Sequence, residues 1–242
     1  MNTKLDWFTS WFDTPYYHIL YKDRDDTDAR IFMQNITSFL QLETQTHILD
    51  LACGKGRHSV FLNSLGFKVT GADLSENSIA LATTFANENL NFVEHDMRKA
   101  FKNKYDAIFN LFTSFGYFED DDEDIQVLLN VKNGLKPNGI AVIDFLNVFD
   151  VEKNLVRNEV KSIDGIVFTI HRKIEHGFIV KEIEFTIDGE SHSYLERVKY
   201  LDIEKFTTYF KKAGLNINHI FGDYKLSAFD KETSNRLIFV VS

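Results

Sequence analysis

Two glycines and a carboxylate in the first third of the chain have the types and spacing to hold a nucleotide-like ligand. Gly54 and Gly56 follow an apolar run, residues 48–51, and precede a helix-like stretch, residues 59–65. A strand, a glycine turn and a helix in this order let a ligand approach bare backbone, and glycine also tolerates a positive φ there. Asp73 ends the next apolar run, 17 residues after Gly56. This is near the spacing at which a carboxylate meets a pair of ribose hydroxyls.

The segment from Asp50 to Gly56, with the sequence DLACGKG, resembles motif I of the class I S-adenosylmethionine-dependent methyltransferases. That motif usually follows the pattern acid-x-G-x-G-x-G. Here Ala52 replaces the first glycine, and the variant Ala-Cys-Gly-x-Gly is frequent among methyltransferases of small molecules. The G-x-G-x-x-G pattern of NAD- and FAD-binding proteins is missing. The resemblance therefore implies S-adenosylmethionine as the cofactor, with S-adenosylhomocysteine as its product, rather than a dinucleotide.

The same resemblance implies which residues meet the cofactor. Asp73 is expected to accept both ribose hydroxyls, and Leu74 to pack on the adenine. The carboxylate of Asp96 takes the exocyclic amine of the adenine ring, which Met97 covers. Asn110, at the end of the fourth predicted strand, flanks the methionine part and the sulfonium. The full predicted set is Asp50, Ala52, Cys53, Gly54, Gly56, Asp73, Leu74, Asp96, Met97, Asn110 and Leu111.

Methyl transfer requires few side chains, because the sulfonium is already an activated leaving group and in-line placement of the acceptor supplies much of the acceleration. A general base is needed only where the acceptor must lose a proton, and no residue is assigned this role. Tyr17, Tyr21 and Tyr117 are predicted on the substrate or sulfonium side, since aromatic faces stabilise sulfonium and methylammonium cations. For Tyr17 and Tyr21 an alternative stays open, a hydrophobic patch that packs the N-terminal segment onto the body or a dimer mate.

The charge of the chain favours a small substrate. The formal net charge is −9, and residues 1–150 hold 13 basic and 22 acidic residues whereas residues 151–242 hold 14 of each. Binding to a phosphate backbone needs a basic face, which neither half supplies by count. Nucleic acid is therefore disfavoured as a partner.

Composition bounds the remaining features. The 242 residues fit one large α/β domain, or one domain with an insertion. The single cysteine, Cys53, excludes an internal disulfide and suits a reducing cytoplasm, which is the predicted location. No apolar run has the length of a membrane span and the start has no signal-peptide layout, so no membrane partner is expected. No zinc-type ligand spacing is present, and no metal site is predicted.

Alternating strands and helices predict the elements that position the site. Their rhythm indicates an α/β fold with a doubly wound, mostly parallel, seven-stranded Rossmann-like methyltransferase sheet. This rhythm ends after residue 147, and from about residue 160 to residue 201 the apolar period is two, with turns at 176–177 and 188–189, which predicts an inserted antiparallel β meander. The strands before it are predicted at 91–97, 105–112 and 140–145, and the last of these follows the segment 136–139. The predicted domains are an N-terminal aromatic cap segment (1–28), the methyltransferase core (29–148 and 202–242) and the β insertion (149–201), which is a lid or dimer element.

The predicted function is transfer of a methyl group from S-adenosylmethionine to nitrogen or oxygen of a small molecule, by a homodimer formed through the β insertion. Three alternatives stay open. A methyltransferase of RNA or protein would need a basic face. A catalytically silent adenosylmethionine-binding module would have a pocket sealed by aromatic residues. An aminopropyl transferase using decarboxylated adenosylmethionine would need further acids around the sulfonium.

Overall fold

The computed structural model describes residues 7–22 and 26–242 and divides the chain into two compact units. Unit 1 comprises the described residues within Met1–Arg24 and Val151–Tyr200, and unit 2 those within Asp25–Asp150 and Leu201–Ser242. The predicted cap segment, 1–28, includes residues 1–6 and 23–25, which lie outside the described residues. Its residues 7–22 group with the β insertion in unit 1 rather than forming an element of their own.

The elements alternate as expected through the first two thirds of unit 2. The helices are α1 (Trp7–Trp11), α2 (Pro15–Leu20), α3 (Asp26–Phe39), α4 (Arg57–Ser64), α5 (Glu76–Thr83), α6 (Asp121–Gly134), α7 (Val148–Lys153) and α8 (Ile203–Ala213). The strands are β1 (His47–Leu51), β2 (Lys68–Asp73), β3 (Leu90–Glu94), β4 (Tyr105–Asn110), β5 (Leu135–Leu146), β6 (Asn158–Ile163), β7 (Ile166–Glu175), β8 (Phe178–Ile187), β9 (Glu190–Lys199), β10 (Ile217–Phe221) and β11 (Arg236–Val241). Across the described ranges, no helix is long and apolar enough to cross a membrane.

Unit 2 is built on one seven-stranded sheet in the order β10-β11-β5-β4-β1-β2-β3. The pairs from β5 to β3 are parallel, whereas β11 is antiparallel to both β5 and β10. Central strands are apolar on both faces, as in Ile48, Phe109 and Val142, which are at most 1% exposed, because helices cover a parallel sheet on both sides. The predicted fold class is confirmed. Because β1, β2 and β4 are parallel, their carboxyl ends lie along the same side of the sheet.

Three predicted strand boundaries were wrong. Strand β3 ends at Glu94, so Asp96 and Met97 lie in the loop after it. Strand β4 ends at Asn110, because Phe112 and Thr113 take positive φ angles of 58° and 63°, which extended backbone does not allow. Strand β5 starts at Leu135 and not at residue 140, so residues 136–139 belong to the strand, where its pairing with β4 is irregular.

Unit 1 contains a four-stranded antiparallel meander in the order β6-β7-β8-β9. The two predicted turns are present, with positive φ at His176, Gly177, Asp188 and Gly189. Strand β6 was missed because it is an edge strand with little burial and no clear alternation: Val160 is 68% exposed. Helices α1 and α2 pack on this sheet, where Trp11 is fully buried and its ring lies 4.5 Å from that of Tyr194.

A half-buried ion cluster attaches helices α1 and α2 to the sheet of unit 1. The carboxylate of Glu196 accepts hydrogen bonds from Trp11 Nε1 at 2.7 Å and from the Tyr21 hydroxyl at 2.7 and 2.8 Å. The ammonium of Lys181 lies 3.7 Å from the same carboxylate, and the two side chains are 14% and 16% exposed. One carboxylate therefore joins both N-terminal helices to β8 and β9.

Replacing Glu196 by glutamine should destabilise unit 1 by about 1–3 kcal/mol, because a charge partner of a partly buried ammonium is lost. The measurement is urea denaturation together with the rate of proteolysis within residues 7–22. The matched control is Glu182→Gln, since Glu182 pairs with Lys173 at 2.9 Å but both side chains are 42% exposed. The control should cost less than about 0.5 kcal/mol, and equal losses in the two variants would contradict the prediction.

Candidate active site

The loop after β1 is held against the end of β2 by backbone hydrogen bonds. The N–H groups of Ala52 and Cys53 both donate to the carbonyl of Ala72, at 2.7 and 3.0 Å. Ala52, Gly54 and Gly56 have φ angles of 66°, 54° and 80°, so the loop passes through the left-handed region three times before α4 begins. This repeated conformation explains the need for small residues and glycine in the motif.

The two glycines of this loop meet different surroundings. A Cβ on Gly54 would have no other atom within 4 Å, so this part of the backbone faces open space. A Cβ on Gly56 would lie 2.6 Å from Cε1 of Phe92, and one on Gly71 would lie 2.5 Å from Cδ1 of the same ring. The ring of Phe92 thus packs directly on two glycines, and only Gly54 leaves backbone accessible to a ligand.

Asp73 ends β2 with its carboxylate fixed by two backbone donors. Oδ2 accepts the N–H of Gly54 at 2.8 Å and Oδ1 accepts the N–H of Ser75 at 2.9 Å. The hydroxyl of Ser75 in turn caps α5 by accepting the N–H of Ser78 at 2.9 Å. The carboxylate is therefore held at the end of β2, beside the glycine loop. Leu74, the next residue, is half-buried.

Asp50 lies on β1 beneath the loop and is only 2% exposed. Its Oδ2 accepts the hydroxyl of Ser59, on α4, at 2.6 Å. Burial raises the pKa of the Asp50 carboxyl to about 6, and the negative charge of Asp73 adds to the rise, whereas the hydrogen bond from Ser59 opposes it. The neighbouring Cys53 is also buried, and burial raises the pKa of its thiol. Such a thiol is a poor nucleophile.

Asn110 ends β4 and is 2% exposed. Its Nδ2 donates to the carbonyl of Leu51 at 3.1 Å and to that of Ser114 at 3.3 Å, so the amide joins the end of β1 to the loop after β4. Its Oδ1 is buried without a hydrogen-bond partner among the described residues. A buried acceptor in this state is costly unless a ligand or water supplies a donor. Leu111, the next residue, is buried at 4% exposure.

Asp96 is held by an arginine that sequence reasoning missed. Arg98 donates to the Asp96 carboxylate from Nε at 3.0 Å and Nη2 at 2.9 Å, and from Nη1 to Glu123 at 2.8 Å. Burial acts to raise the pKa of Asp96, but the hydrogen bonds and charge of Arg98 outweigh it and leave that pKa lowered. The carbonyl of Met97 accepts Asn130 Nδ2 at 3.0 Å. Arg98 and Glu123 also line an open cavity of about 480 Å³.

The three tyrosines predicted on the substrate side lie in different units. Tyr17 and Tyr21 belong to α2 and the residue after it, in unit 1, with their rings 4.9 Å apart. The Tyr21 hydroxyl takes part in the Glu196 cluster. Tyr117 belongs to unit 2, where its hydroxyl donates to the carbonyl of Thr113. This hydrogen bond ties the Tyr117 side chain to the loop after β4. The roles of all three tyrosines stay predictions.

A second set of interacting side chains that the sequence did not reveal lies next to the end of β4. Asp144, on β5, is fully buried and pairs with Arg236, on β11, at 2.7 Å. Its Oδ2 also accepts the N–H of Phe112 at 2.7 Å and the hydroxyl of Tyr224 at 3.3 Å. Burial raises the pKa of Asp144, and the guanidinium of Arg236 opposes that rise. The only sequence signals were one acid and one arginine inside apolar strands; their partners were not recognised.

The comparisons with known proteins agree with this architecture. A protein-family model described as "Methyltransferase domain" matches residues 48–139. YqeM of Bacillus subtilis (strain 168), which is named as a methyltransferase, is 25% identical over 194 residues, 76% of this chain and 78% of the relative. A ubiquinone biosynthesis O-methyltransferase of Rickettsia canadensis (strain McKiel) is 33% identical over 119 residues, which is 48% of this chain and 49% of that protein.

Two solved structures show the same fold. An S-adenosylmethionine-dependent methyltransferase from Clostridium acetobutylicum ATCC 824 has a TM-score of 0.79 at 22% identity, covering 94% of this chain and 95% of that one. CalS10 from Micromonospora echinaspora, an amino pentose methyltransferase solved with adenosylmethionine bound, has a TM-score of 0.68 at 18% identity, with coverage of 94% and 96%.

The glycine loop after β1 and the carboxylate that ends β2 lie together at the carboxyl ends of the parallel strands, which is where open α/β sheets bind their ligands. Residues 48–139, which contain this loop and strand β2, match a methyltransferase domain, and the fold is that of solved S-adenosylmethionine-dependent methyltransferases. Two features of this structure fit that cofactor: the open space at Gly54 and the unpartnered Oδ1 of Asn110. The first can receive a ligand at bare backbone, and the second can accept a donor such as an ammonium group.

Proposed function

We propose that this methyltransferase acts on nitrogen or oxygen of a small molecule and holds its cofactor at the carboxyl ends of β1 to β4. The observation that carries the proposal is the carboxylate of Asp73. It is fixed by two backbone donors beside the open backbone of Gly54. A pair of vicinal hydroxyls is a ligand group that a carboxylate in this position binds in nucleotide-binding α/β folds.

The other predicted contacts receive specific tasks in this proposal. Asn110 Oδ1 would accept a hydrogen bond from the cofactor's amino group, which would satisfy the buried acceptor. The carboxylate of Asp96, oriented by Arg98, would accept a hydrogen bond from the exocyclic amine of adenine, while Leu74 and Met97 would cover the ring. Ala52, Cys53 and Leu111 would line the loop, and Asp50, buried beneath it, would support its shape through Ser59.

The cofactor supplies a methyl group on a sulfonium, which makes the leaving group a neutral thioether. The protein therefore has to bind, orient and exclude water more than to supply acid or base. The acceptor would approach over the loop after β4, where Phe112, Thr113 and Tyr117 lie. A base is required only for an acceptor that must lose a proton, so an amine that is already neutral could react without one.

The acceptor class rests on similarity and on charge. One curated relative is named an O-methyltransferase of ubiquinone biosynthesis, and one structural neighbour is named an amino pentose methyltransferase. The formal net charge of −9 is unfavourable for a nucleic-acid acceptor. A homodimer formed through residues 149–201 and a cytoplasmic location belong to the same proposal.

The proposal is tested by calorimetry with adenosylmethionine and adenosylhomocysteine. Wild-type protein should bind both, and Asp73→Ala should lower the affinity at least about hundredfold, because two hydrogen bonds to a charged group are lost. The control is Glu88→Ala, which removes an exposed acid just before β3 and should bind as wild type does. Failure of the wild-type protein to bind either ligand would overturn the cofactor site. A screen for labelled-methyl transfer to amines, phenols and aminosugars would then identify the acceptor.

A further inference from the structure

The turn after β4 has a backbone conformation that its residues do not favour. Phe112 and Thr113 have φ angles of 58° and 63°, in the left-handed region where an L side chain crowds the following carbonyl. The cost is greatest for a β-branched residue such as threonine. Two such residues in succession persist only where the surrounding structure determines their conformation, and strain of this kind concentrates at functional sites.

The surroundings that fix this turn are Asp144 and Arg236. The N–H of Phe112 donates to Asp144 Oδ2 at 2.7 Å, and the N–H of Thr113 donates to the Asp144 carbonyl at 3.0 Å. Arg236 donates from Nε to Asp144 Oδ1 at 2.8 Å and from Nη2 to the hydroxyl of Thr113 at 3.0 Å. The arginine therefore contacts both the carboxylate that anchors the turn and a side chain of the turn itself.

The turn is close in sequence to Asn110, whose Oδ1 has no hydrogen-bond partner among the described residues. One residue, Leu111, separates Asn110 from the turn. The Nδ2 of Asn110 donates to the carbonyl of Ser114, which follows the turn directly. The ring of His58, on α4, packs 4.4 Å from the ring of Phe112. The conformation of residues 112–113 consequently sets where the Asn110 amide lies relative to the ends of β1 and β4.

We propose that Arg236 is a positioning residue, which acts through Asp144 and Thr113 to hold the strained turn and, with it, the Asn110 amide in the conformation that receives the cofactor. This inference rests on the proposed function, in which Asn110 meets the cofactor. A purely structural ion pair would stabilise the sheet without setting the affinity for the cofactor. The two roles are separable by experiment, because strain relief and site loosening change stability and affinity in opposite directions.

The sharpest test is Thr113→Gly, with adenosylhomocysteine as the probe. Glycine accepts a positive φ without strain, so the stability of the variant to urea should equal or exceed that of wild type. The turn loses its contact with Arg236, so the affinity for adenosylhomocysteine should fall about tenfold, the size expected for one hydrogen bond to a charged group. Unchanged affinity would overturn the proposal, as would a loss of affinity that merely parallels a loss of stability.

Arg236 is tested directly by Arg236→Met, with Arg236→Lys as the conservative variant. Hydrogen exchange at the amides of Phe112 and Thr113 should accelerate in Arg236→Met, and affinity should fall by at least about tenfold. The lysine variant should restore part of the exchange protection and part of the affinity, since lysine keeps the positive charge but lacks the planar guanidinium group. The matched control is Lys136→Met, which removes an ion pair with Asp106 (2.8 Å). This pair lies near the first residues of β4 and β5, at the end of these strands that is far from the turn. A control that lowers affinity equally would overturn the proposal.

Wild-type protein and Asp73→Ala, measured in the same series, separate the two claims. If wild type binds adenosylhomocysteine and Asp73→Ala does not, while Thr113→Gly and Arg236→Met bind normally, the positioning role alone is refuted. If wild type does not bind, the proposed cofactor site and the inference that depends on it fall together.

Discussion

Replacing Gly56 by alanine is expected to destabilise unit 2 by about 2–4 kcal/mol. An L residue at the Gly56 φ of 80° costs roughly 1–2 kcal/mol. The new Cβ would lie 2.6 Å from Phe92 and 3.0 Å from the Cβ of Ala82, and displacing these packed groups should add about 1–2 kcal/mol. Urea denaturation followed by circular dichroism measures the loss.

Gly54→Ala is the matched control, because Gly54 also has a positive φ of 54° but no atom within 4 Å of its added Cβ. It should lose only the conformational part, roughly 1–2 kcal/mol. Binding should respond to this control, since its methyl group enters the space assigned to the cofactor: affinity for adenosylhomocysteine should fall by about tenfold or more. Equal stability losses in the two variants would contradict the packing role of Phe92. Normal binding by Gly54→Ala would contradict the proposal that the cofactor lies against the backbone of Gly54.

Replacing Asp50 by asparagine is expected to stabilise the protein at neutral pH. The pKa of Asp50 is raised from 3.8 to about 6 in the folded state, chiefly by burial. Between these values the folded state binds more protons than the unfolded state, so wild-type stability falls as pH rises through this interval. A shift of about two pKa units corresponds to about 3 kcal/mol. The stability difference between Asp50→Asn and wild type should therefore grow by about that amount between pH 4 and pH 7.

Urea denaturation at a series of pH values checks this expectation, with Asp230→Asn as the control. The pKa of Asp230 is lowered, first by the hydroxyl of Thr233 and also by nearby backbone donors. Its charged form therefore stabilises the fold above the unfolded pKa, and the control should lose stability relative to wild type as pH rises. A stability difference for Asp50→Asn that does not change with pH would show that Asp50 is ionised without penalty in the folded protein.

Local patterns in the sequence were sufficient to predict the sheet and the residues at its edge. The strand that contains Asp50, the glycine loop and the strand that ends at Asp73 are adjacent in sequence and adjacent in the sheet. Their order along the chain therefore gives their order in space. Helix α8 also has local signals at both ends, since Asp202 accepts the N–H of Lys205 at 2.8 Å and Gly214 ends the helix in the left-handed conformation.

Interactions between distant segments could not be predicted. Arg236 and Asp144 are 92 residues apart, and their contact depends on the register of β11 against β5, in which Arg236 pairs with Leu146. The pairing of Trp11 with Glu196 spans 185 residues, and the aromatic pattern of the N-terminal segment did not specify which surface it covers. Phe92 resembled an ordinary strand residue, because its contact with Gly56 and Gly71 exists only once β3 lies beside β2.

The central claim is that the carboxylate of Asp73 binds the ribose of the cofactor. The most direct test is calorimetry on wild type and Asp73→Asn with two ligands, adenosylhomocysteine and its 2′,3′-dideoxy analogue. Wild type should bind the analogue about hundredfold more weakly, because two hydrogen bonds to a carboxylate are lost. Asp73→Asn should bind adenosylhomocysteine weakly and distinguish the two ligands far less, since the same interaction is already missing. Discrimination by Asp73→Asn as strong as that of wild type would contradict the account.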